Sequence, residues 1–508
     1  MRTILILLLL CACVGAHLIE GSELKNKSKA PVGTKIREHW KNFWKDVEQK
    51  FKSKLLDFRK KLEKFRVKIK ERLTLTKKQL AEVARRLKEV KRTIVNQIQR
   101  RGDTIEQINW DAGIGQMLFQ SDIVPTRELA DQILKDLSDN GSRSKRQAYR
   151  GHSYPQMIWP DAKVPYLFAP NTSERTKKVF RSAAKLWSDK TCIDIFEDSS
   201  ATEGIRVIGE GGCSSTIGRY KGLQNLTLGK NCETIGIAAH ELGHALGFFH
   251  THARHDRDQS ITVVSQNIRP DWLDQFTAQT TATNDNYGLP YDYGSIMHYG
   301  VTSGTNDKMT RPLTMIPKNQ KYLETLGSPF ISFIDFLMMN KHYDCLAKCD
   351  PETSAKCDNH GFPHPRDCTK CICPFGYGGR LCKIKPASCG QVLNATDQEQ
   401  KFKDVVGNKS AGFDARDGYK ICYYWIKAPE GKKVRVQLTN FEPEGIAVDG
   451  CPYAGVEFKA QADQRLTGMR YCSKQDEGTV LISESNLMPI ITYNRFYESS
   501  ATIKYRFI

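Results

Sequence analysis

The sequence predicts a multidomain chain: a helical N-terminal segment, an α+β unit around a metal-binding helix, a small disulfide-rich module and an all-β sandwich. Three observations predict it. At 508 residues the chain is too long for one core and suits three or four units. His240, His244 and His250 stand where one helix and the turn after it can bring three imidazoles together. Cys349, Cys357, Cys368, Cys371, Cys373 and Cys382 crowd into one short stretch, and strand-like alternation with four more cysteines follows over 389–508.

Taken in order, Met1–Ala16 has Arg2 near its start, an apolar run from Ile4 to Cys13, and the small residues Val14-Gly15-Ala16. This predicts a secretory signal peptide over 1–16, cleaved after Ala16. A membrane anchor would need roughly 18–20 apolar residues, and no stretch of the sequence supplies a span. The compartment implied is extracellular, where disulfides persist. Of the 16 cysteines, Cys11 and Cys13 leave with that peptide, and the 14 from Cys192 onward are an even number that suits full pairing. Secretion also makes six N-x-S/T acceptors plausible glycosylation sites: Asn26, Asn140, Asn171, Asn225, Asn394 and Asn408.

Residues 17–146 form one segment, dense in Lys and Arg up to about Arg101. Trp40, Phe43, Trp44, Val47, Phe51, Leu55 and Phe58 approximate a helical stripe, continued by Leu80, Val83, Leu87, Val90 and Ile94. Long amphipathic helices with a solvated basic face are expected. Of the formal net charge of +19, about +15 falls on 22–146 and about +4 on 147–508. Heparin, nucleic acid or a membrane surface would be alternative partners for such a segment. The segment ends at Gly141-Ser142-Arg143-Ser144-Lys145-Arg146, behind a polar turn, where the chain should be easily nicked. Arg143-x-Lys145-Arg146 resembles a furin-type processing site. Cleavage there removes the basic excess, makes Gln147 the new N-terminus and leaves no case for a nucleic-acid binder.

Past that point Val164–Phe168 and Ile205–Ile208 read as strands. Ser173–Trp187 reads as a helix, with Val179, Ala183, Ala184 and Trp187 in register. The central helix carries Ile235, Ala238, Ala239, Leu242, Ala245 and Leu246 at helical spacing, independent of any metal. His240 and His244, four apart, lie on one face, and Glu241 sits beside the first of them. Gly247 lets the helix stop and turn, bringing in His250. Three imidazoles leave one position of a tetrahedral zinc open, the mark of a catalytic rather than a structural site. The plainer alternative is a core helix that happens to contain histidines.

The stretch His240–His250 matches the metzincin signature HExxHxxGxxH, and Ser295-Ile296-Met297-His298-Tyr299 supplies a Met-turn. With Phe248, Phe249 and Asp256-Arg257-Asp258, it resembles the astacin family. The resemblance covers about 200 residues, closing on Ser332–Asp335 and Asn340–Cys345. It implies an α+β peptidase unit over 147–346 holding one zinc ion on His240, His244 and His250. Glu241 is then the general base, Met297 underlies the site, and Tyr299 is a switchable ligand that stabilises the transition state. Phe119-Gln120-Ser121-Asp122 resembles the family's pro-segment motif, with Ser121 where Gly is usual; Asp122 would fill the open zinc position. Thr251 stands where astacins usually carry a Glu that pairs with the mature N-terminus. His252 and His255 fall off the pattern and read as surface or neighbouring residues. Gly212–Arg219 resembles the edge strand on which peptide substrates pair. The resemblance further implies disulfides Cys192–Cys345 and Cys213–Cys232.

Residues 347–384 look like an EGF-like module, whose usual pairing would be Cys349–Cys368, Cys357–Cys371 and Cys373–Cys382, although six cysteines allow fifteen pairings. A zinc ribbon is the alternative that secretion disfavours. The last unit, 389–508, resembles a CUB domain with pairs Cys389–Cys422 and Cys451–Cys472. Tyr423–Lys427, Val434–Leu438 and Thr479–Ile482 are expected strands, and Asp449 is a candidate calcium ligand or a plain turn residue. The sequence thus reads as a secreted zinc metalloendopeptidase made as a zymogen. Its partners would be extracellular protein substrates, a furin-type processing protease, and ligands of the EGF-like and CUB modules. A matrix-binding protein with an inactive peptidase unit is the competing reading.

Overall fold

A computed structural model describes residues 53, 56–89, 96–99, 102–138, 148–149, 156–280 and 284–508. The chain divides into two units, Met1–Leu56 and Asp57–Ile508, and the second holds every sheet and disulfide named here. The signal-type segment, the stripe from Trp40 to Leu55, Asn26, Asn140, and the junction Arg146-Gln147 lie outside the described residues. Asn171, Asn225, Asn394 and Asn408 are exposed.

The peptidase-like unit is built on a five-stranded sheet. Its order is β2 (Asp194–Glu197), β1 (Lys163–Phe168), β3 (Gly204–Ile208), β5 (Leu223–Leu228) and β4 (Cys213–Ser214). The first four strands run parallel, and β4 pairs antiparallel to β5 at the edge. Two long helices cover this sheet. The first, Glu174–Ser188, is capped by Ser173, whose side chain accepts from Thr176 N, and buries Val179, Phe180, Ala183, Ala184 and Trp187. Those positions recur at three and four residues, so one apolar stripe meets the sheet and the second helix. The second, Ile235–Ala245, is capped by Thr234 and buries every residue from Ala238 to Ala245. Trp187 Nε1 donates to Ala239 O at 2.9 Å and stitches the two together. A third helix, Phe333–His342, opens with a capping box between Ser332 and Asp335. Disulfides join Cys192 to Cys345 and Cys213 to Cys232.

Beyond Cys345 a hairpin of Phe362–His364 with Asp367–Ile372 is held by disulfides Cys349–Cys368, Cys357–Cys371 and Cys373–Cys382. Its few buried side chains depend on both neighbours: Phe362 and Ile372 join the core of the peptidase-like unit. Tyr377 and Cys382 cluster with Trp425, whose Nε1 donates to Gly376 O at 2.7 Å. The next unit, which carries Trp425, is a two-sheet sandwich. One sheet runs Val392–Asn394, Lys420–Lys427, Leu487–Asn494, Ala454–Phe458, Met469–Tyr471; the other runs Gln400–Gly407, Glu498–Phe507, Val434–Glu442, Val480–Ile482. Alternating burial along Glu498–Phe507 shows one face in the core and one in solvent. Disulfides Cys389–Cys422 and Cys451–Cys472 brace it.

The sandwich does not hang free. Asp449 Oδ2 accepts from both the amide and the hydroxyl of Thr302, at 2.8 Å each. Asp449 stands in a turn, as one of its two readings has it, and there it is a buried link to the peptidase-like unit. Asp292 accepts from Thr467 N and Oγ1 at 3.1 Å, and Arg470, paired with Glu457, donates to Ser328 Oγ at 2.6 Å. Gly450, at φ +80°, passes so close that a Cβ would collide with the Gly327 carbonyl.

Gly450→Ala therefore combines a disallowed backbone conformation with a clash against main chain. Thermal unfolding should show a loss of about 1–3 kcal/mol, with faster proteolysis between residues 345 and 389. An unaltered melting profile and digestion pattern would show that the contact does not hold the two parts together.

Candidate functional site

The site is assembled by the end of the Ile235–Ala245 helix and the turns that meet it. Gly247, at φ +115°, ends the helix, and a Cβ there would lie 2.6 Å from His342 Nε2. The chain then reverses and delivers His250 back to the helix face. The Nε2 atoms of His240, His244 and His250 come within 3.1–3.2 Å of one another. All three rings are buried.

What they do with their other nitrogens fixes their chemistry. His240 Nδ1 donates to Ile296 O at 2.7 Å, and His244 Nδ1 to Phe248 O at 2.6 Å. His250 Nδ1 donates to Gln120 Oε1 at 2.8 Å. A carbonyl oxygen can only accept, so each Nδ1 carries the proton and each Nε2 presents a lone pair inward. Burial disfavours the charged imidazolium, holding His244 below its ordinary range and His250 down at about 3. The spacing fits zinc: ligands about 2.0–2.1 Å from a tetrahedral ion stand roughly 3.3 Å apart. A second observation supports the fit. Both carboxylate oxygens of Glu241 are buried beside the cluster without a hydrogen-bond partner. Burial, then the neighbouring charge of Asp122, pushes this carboxyl well above the usual range.

Asp122 completes the tetrad. Its Oδ2 lies 3.1 Å from His240 Nε2 and from His250 Nε2, and Oδ1 is 3.6 Å from His244 Nε2. Burial would raise this carboxyl, but the surrounding imidazoles outweigh it and hold it well below its ordinary value. It is presented by a tight reversal: Phe119 and Ile123 exchange both backbone hydrogen bonds, at 2.9 Å each, around Gln120-Ser121-Asp122. Gln120 and Ser121 take φ of +47° and +67°. Ser121 accepts that unfavourable conformation while its hydroxyl pairs with Tyr299 Oη at 2.9 Å and its amide donates to Gln275 Oε1. Tyr299 Oη also donates to Asp122 Oδ2 at 2.7 Å and meets Gln120 O at 2.8 Å.

The segment before and after Asp122 uses the open sheet edge. Ile123 pairs parallel with Ser215, Ser215 N donates to Asp122 O, and Val124 N donates to Ser215 O. Asn109 does with its side chain what a strand does with its backbone: Nδ2 donates to Cys213 O at 2.6 Å, and Oδ1 accepts from Cys213 N at 2.7 Å. Asn109 gives no sequence signal; its role appears only through a partner 104 residues away. Glu106, buried and held by Ser303 Oγ at 2.6 Å, is hidden from sequence reasoning in the same way.

Below the metal cluster, Met297 is buried against Gly243; a Cβ at Gly243 would sit 2.6 Å from Met297 Sδ. Thr251, at the unusual position, ties the third-histidine turn to the Met297 turn. Its amide donates to Met297 O at 2.8 Å, its hydroxyl to Ser295 Oγ at 2.8 Å, and Ser295 in turn to Asp335 Oδ1 at 2.6 Å. Asp335 also accepts from the amides of Ile296 and Ser332 and is pushed up to about 6 by burial. His252 is not a surface residue: it is fully buried, its ring 5.1 Å from that of His250 and 4.9 Å from that of Tyr299. His255 is half-buried. His298 uses both nitrogens, donating from Nδ1 to Tyr299 O and accepting at Nε2 from Tyr291 Oη, both at 2.6 Å.

A family model described as Astacin (Peptidase family M12A) matches residues 151–344. Zinc metalloproteinase nas-31 of Caenorhabditis elegans is 43% identical over 416 residues, covering 81% of this chain and 67% of its own. Zinc metalloproteinase nas-25 of the same organism is 36% identical over 377 residues, covering 72% and 90%. Among solved structures, high choriolytic enzyme 1, a hatching enzyme zinc-protease of the medaka Oryzias latipes, is similar at 28% identity and a TM-score of 0.36. That match covers 39% of this chain and 98% of that one.

The buried His298 ring has a consequence for acid stability. Burial holds it down at about 4, whereas the unfolded chain takes up the proton near 6.5. Stability is therefore lost as pH falls from about 6.5 toward 4, by about 3 kcal/mol from this group. Urea unfolding at pH 7 and pH 4.5 should show the drop, and His298→Gln should shrink it. An equal drop in both proteins would assign the acid sensitivity elsewhere.

Proposed function

Because the chain belongs to the astacin family of zinc metalloproteinases, we propose that it is a secreted endopeptidase of extracellular proteins, held latent by residues 17–146 and released by cleavage after Arg146. The observation that carries this reading is the occupied tetrad. Three imidazole lone pairs converge, and the fourth corner is taken by Asp122, a residue upstream of the basic processing motif. On this reading residues 1–16 are the signal peptide, 147–346 the peptidase, 347–384 an EGF-like module and 389–508 a CUB domain. The disulfide-braced hairpin and the two-sheet sandwich support the last two assignments.

His240, His244 and His250 hold the zinc ion. When bound, it supplies Lewis acidity, lowering the pKa of water and polarising a carbonyl oxygen. The chain's own groups do the rest. Departure of Asp122 opens the fourth corner and removes the charge that, after burial, raises Glu241. Glu241 then takes the proton of the attacking water as general base and passes it to the nitrogen of the leaving amine. Tyr299, freed of its bond to Asp122, donates its hydroxyl to the carbonyl oxygen as that atom gains negative charge. The edge strand Cys213–Ser214 and Ser215, vacated by Asn109 and Ile123, takes the substrate backbone in their place. The sandwich and hairpin module would hold protein substrates rather than cut them.

Glu241→Gln should keep one zinc per chain and lose about 10³-fold or more in turnover, read by metal analysis beside fluorogenic-peptide hydrolysis. Arg146→Ala should stay intact and latent when treated with a furin-type protease. Asp122→Ala should leak activity without cleavage. Full activity of the uncleaved Arg146→Ala chain would refute the latency, and undiminished turnover by Glu241→Gln would refute the assigned base.

A further inference from the structure

The pro-segment does not stop at the metal site. Upstream of Asn109, it runs past Ser303, which holds Glu106, and reaches the sandwich, where Asp103 accepts a hydrogen bond from Tyr453 Oη. Asn96 N donates to Ala447 O at 2.7 Å beyond that. A cavity of about 430 Å³ follows this track. Its lining includes His240 and Tyr299 of the metal site and Tyr453 and Arg495 of the sandwich.

Arg495 is the odd member of this lining. Its residue is only 8% exposed, yet its Nε has no hydrogen-bond partner and no carboxylate pairs with it among the described residues. The other deeply buried arginines are engaged. Arg470 pairs with Glu457, Arg254 with Asp256, and Arg257 donates to the carbonyl of His252 at 3.1 Å. A guanidinium keeps its charge at any physiological pH, and burying one unpaired is unfavourable unless a counter-charge arrives. Its ring neighbours are Tyr419 at 5.7 Å, whose hydroxyl also takes a hydrogen bond from it, and Tyr453 at 6.0 Å; both are neutral and supply no counter-charge. The acidic groups on the same cavity cannot serve. Asp449 is spent on Thr302, Glu233 accepts from Ser173 and Thr176, and Asp414 is exposed at the surface. Asp103 and Glu106 leave with the pro-segment.

We infer that Tyr453 and Arg495 form a carboxylate-recognition pocket at the sandwich end of the active-site groove. Asp103 lies at its hydroxyl donor in the latent chain, and an acidic side chain of the substrate takes it in the released enzyme. The inference rests on the proposed release of residues 17–146. Two donor types line that end of the cavity: a phenol hydroxyl that already holds a carboxylate, and a planar guanidinium able to donate to both oxygens of one at once. The sandwich then does more than tether: it selects peptides carrying Asp or Glu at a fixed distance from the scissile bond.

The test uses the cleaved full-length protein and quenched fluorogenic peptides in which a single Glu is stepped along the sequence, each paired with a Gln twin. At one or two neighbouring positions the Glu peptide should show a kcat/KM about 10-fold above its twin. Arg495→Gln and Tyr453→Phe should bring that ratio close to one, and Arg495→Glu should turn the preference toward Lys at the same position. Thermal unfolding of each variant checks that the sandwich remains folded. If no position favours Glu, or the preference survives Arg495→Gln, the pocket is refuted while the peptidase reading stands. If no peptide is cut at all, fluorescence anisotropy of the same pairs on cleaved Glu241→Gln protein decides. Tighter binding of a Glu peptide that Arg495→Gln abolishes supports the pocket, and equal binding of Glu and Gln peptides overturns it.

Discussion

The site depends on where three protons are. His240, His244 and His250 each surrender the Nδ1 hydrogen to an oxygen that can only accept, and so each turns a lone pair toward the same point. Two of those acceptors are main-chain carbonyls of the peptidase-like unit. The third is the side-chain oxygen of Gln120, which belongs to the segment that brings Asp122 to the imidazoles. On the proposed zymogen reading, the third ligand is thus oriented by the segment that is later removed. After release, His250 keeps its position through the turn pinned by Thr251 but needs a new acceptor for Nδ1, which solvent can provide.

Around that point, the segment carrying Asp122 satisfies the groups that the proposed mechanism assigns to a bound peptide. Asp122 faces the imidazoles, Ile123 takes a rung on the sheet edge, and Asn109 caps Cys213 with a side-chain amide. The strained reversal at Gln120-Ser121 is tolerated because Tyr299, Gln275 and the imidazoles over-determine it.

The parts of this arrangement that are local in sequence were legible in it. The four-residue spacing of His240 and His244 and the helix break at Gly247 are short-range facts, and so are the alternation of the strands and the stripe on Glu174–Ser188. The strands proved longer than the patterns suggested: Val434–Leu438 extends to Glu442 and Tyr423–Lys427 begins at Lys420, because pairing with neighbours continues where hydrophobic alternation fades. The roles of Asn109 and Arg495 were not legible, nor was the burial of Asp449 and His252. Each acquires its role from a surface more than forty residues away or from burial that no local pattern reports. Thr251 is an intermediate case: the departure was visible, but the chain through Ser295 to Asp335 was not.

The track of the pro-segment also sets an order of assembly. Asp122 meets His240 across 118 positions, whereas Asp103 meets Tyr453 across 350. During synthesis the first partner emerges long before the second. The metal corner can thus be plugged while the far end of the groove still lacks its sandwich residues. On the proposed zymogen reading, latency at the reacting atoms would then begin in the growing chain. The groove itself is finished only when the last strands of the sandwich close, so truncations within that sandwich would leave a plugged but half-built cleft.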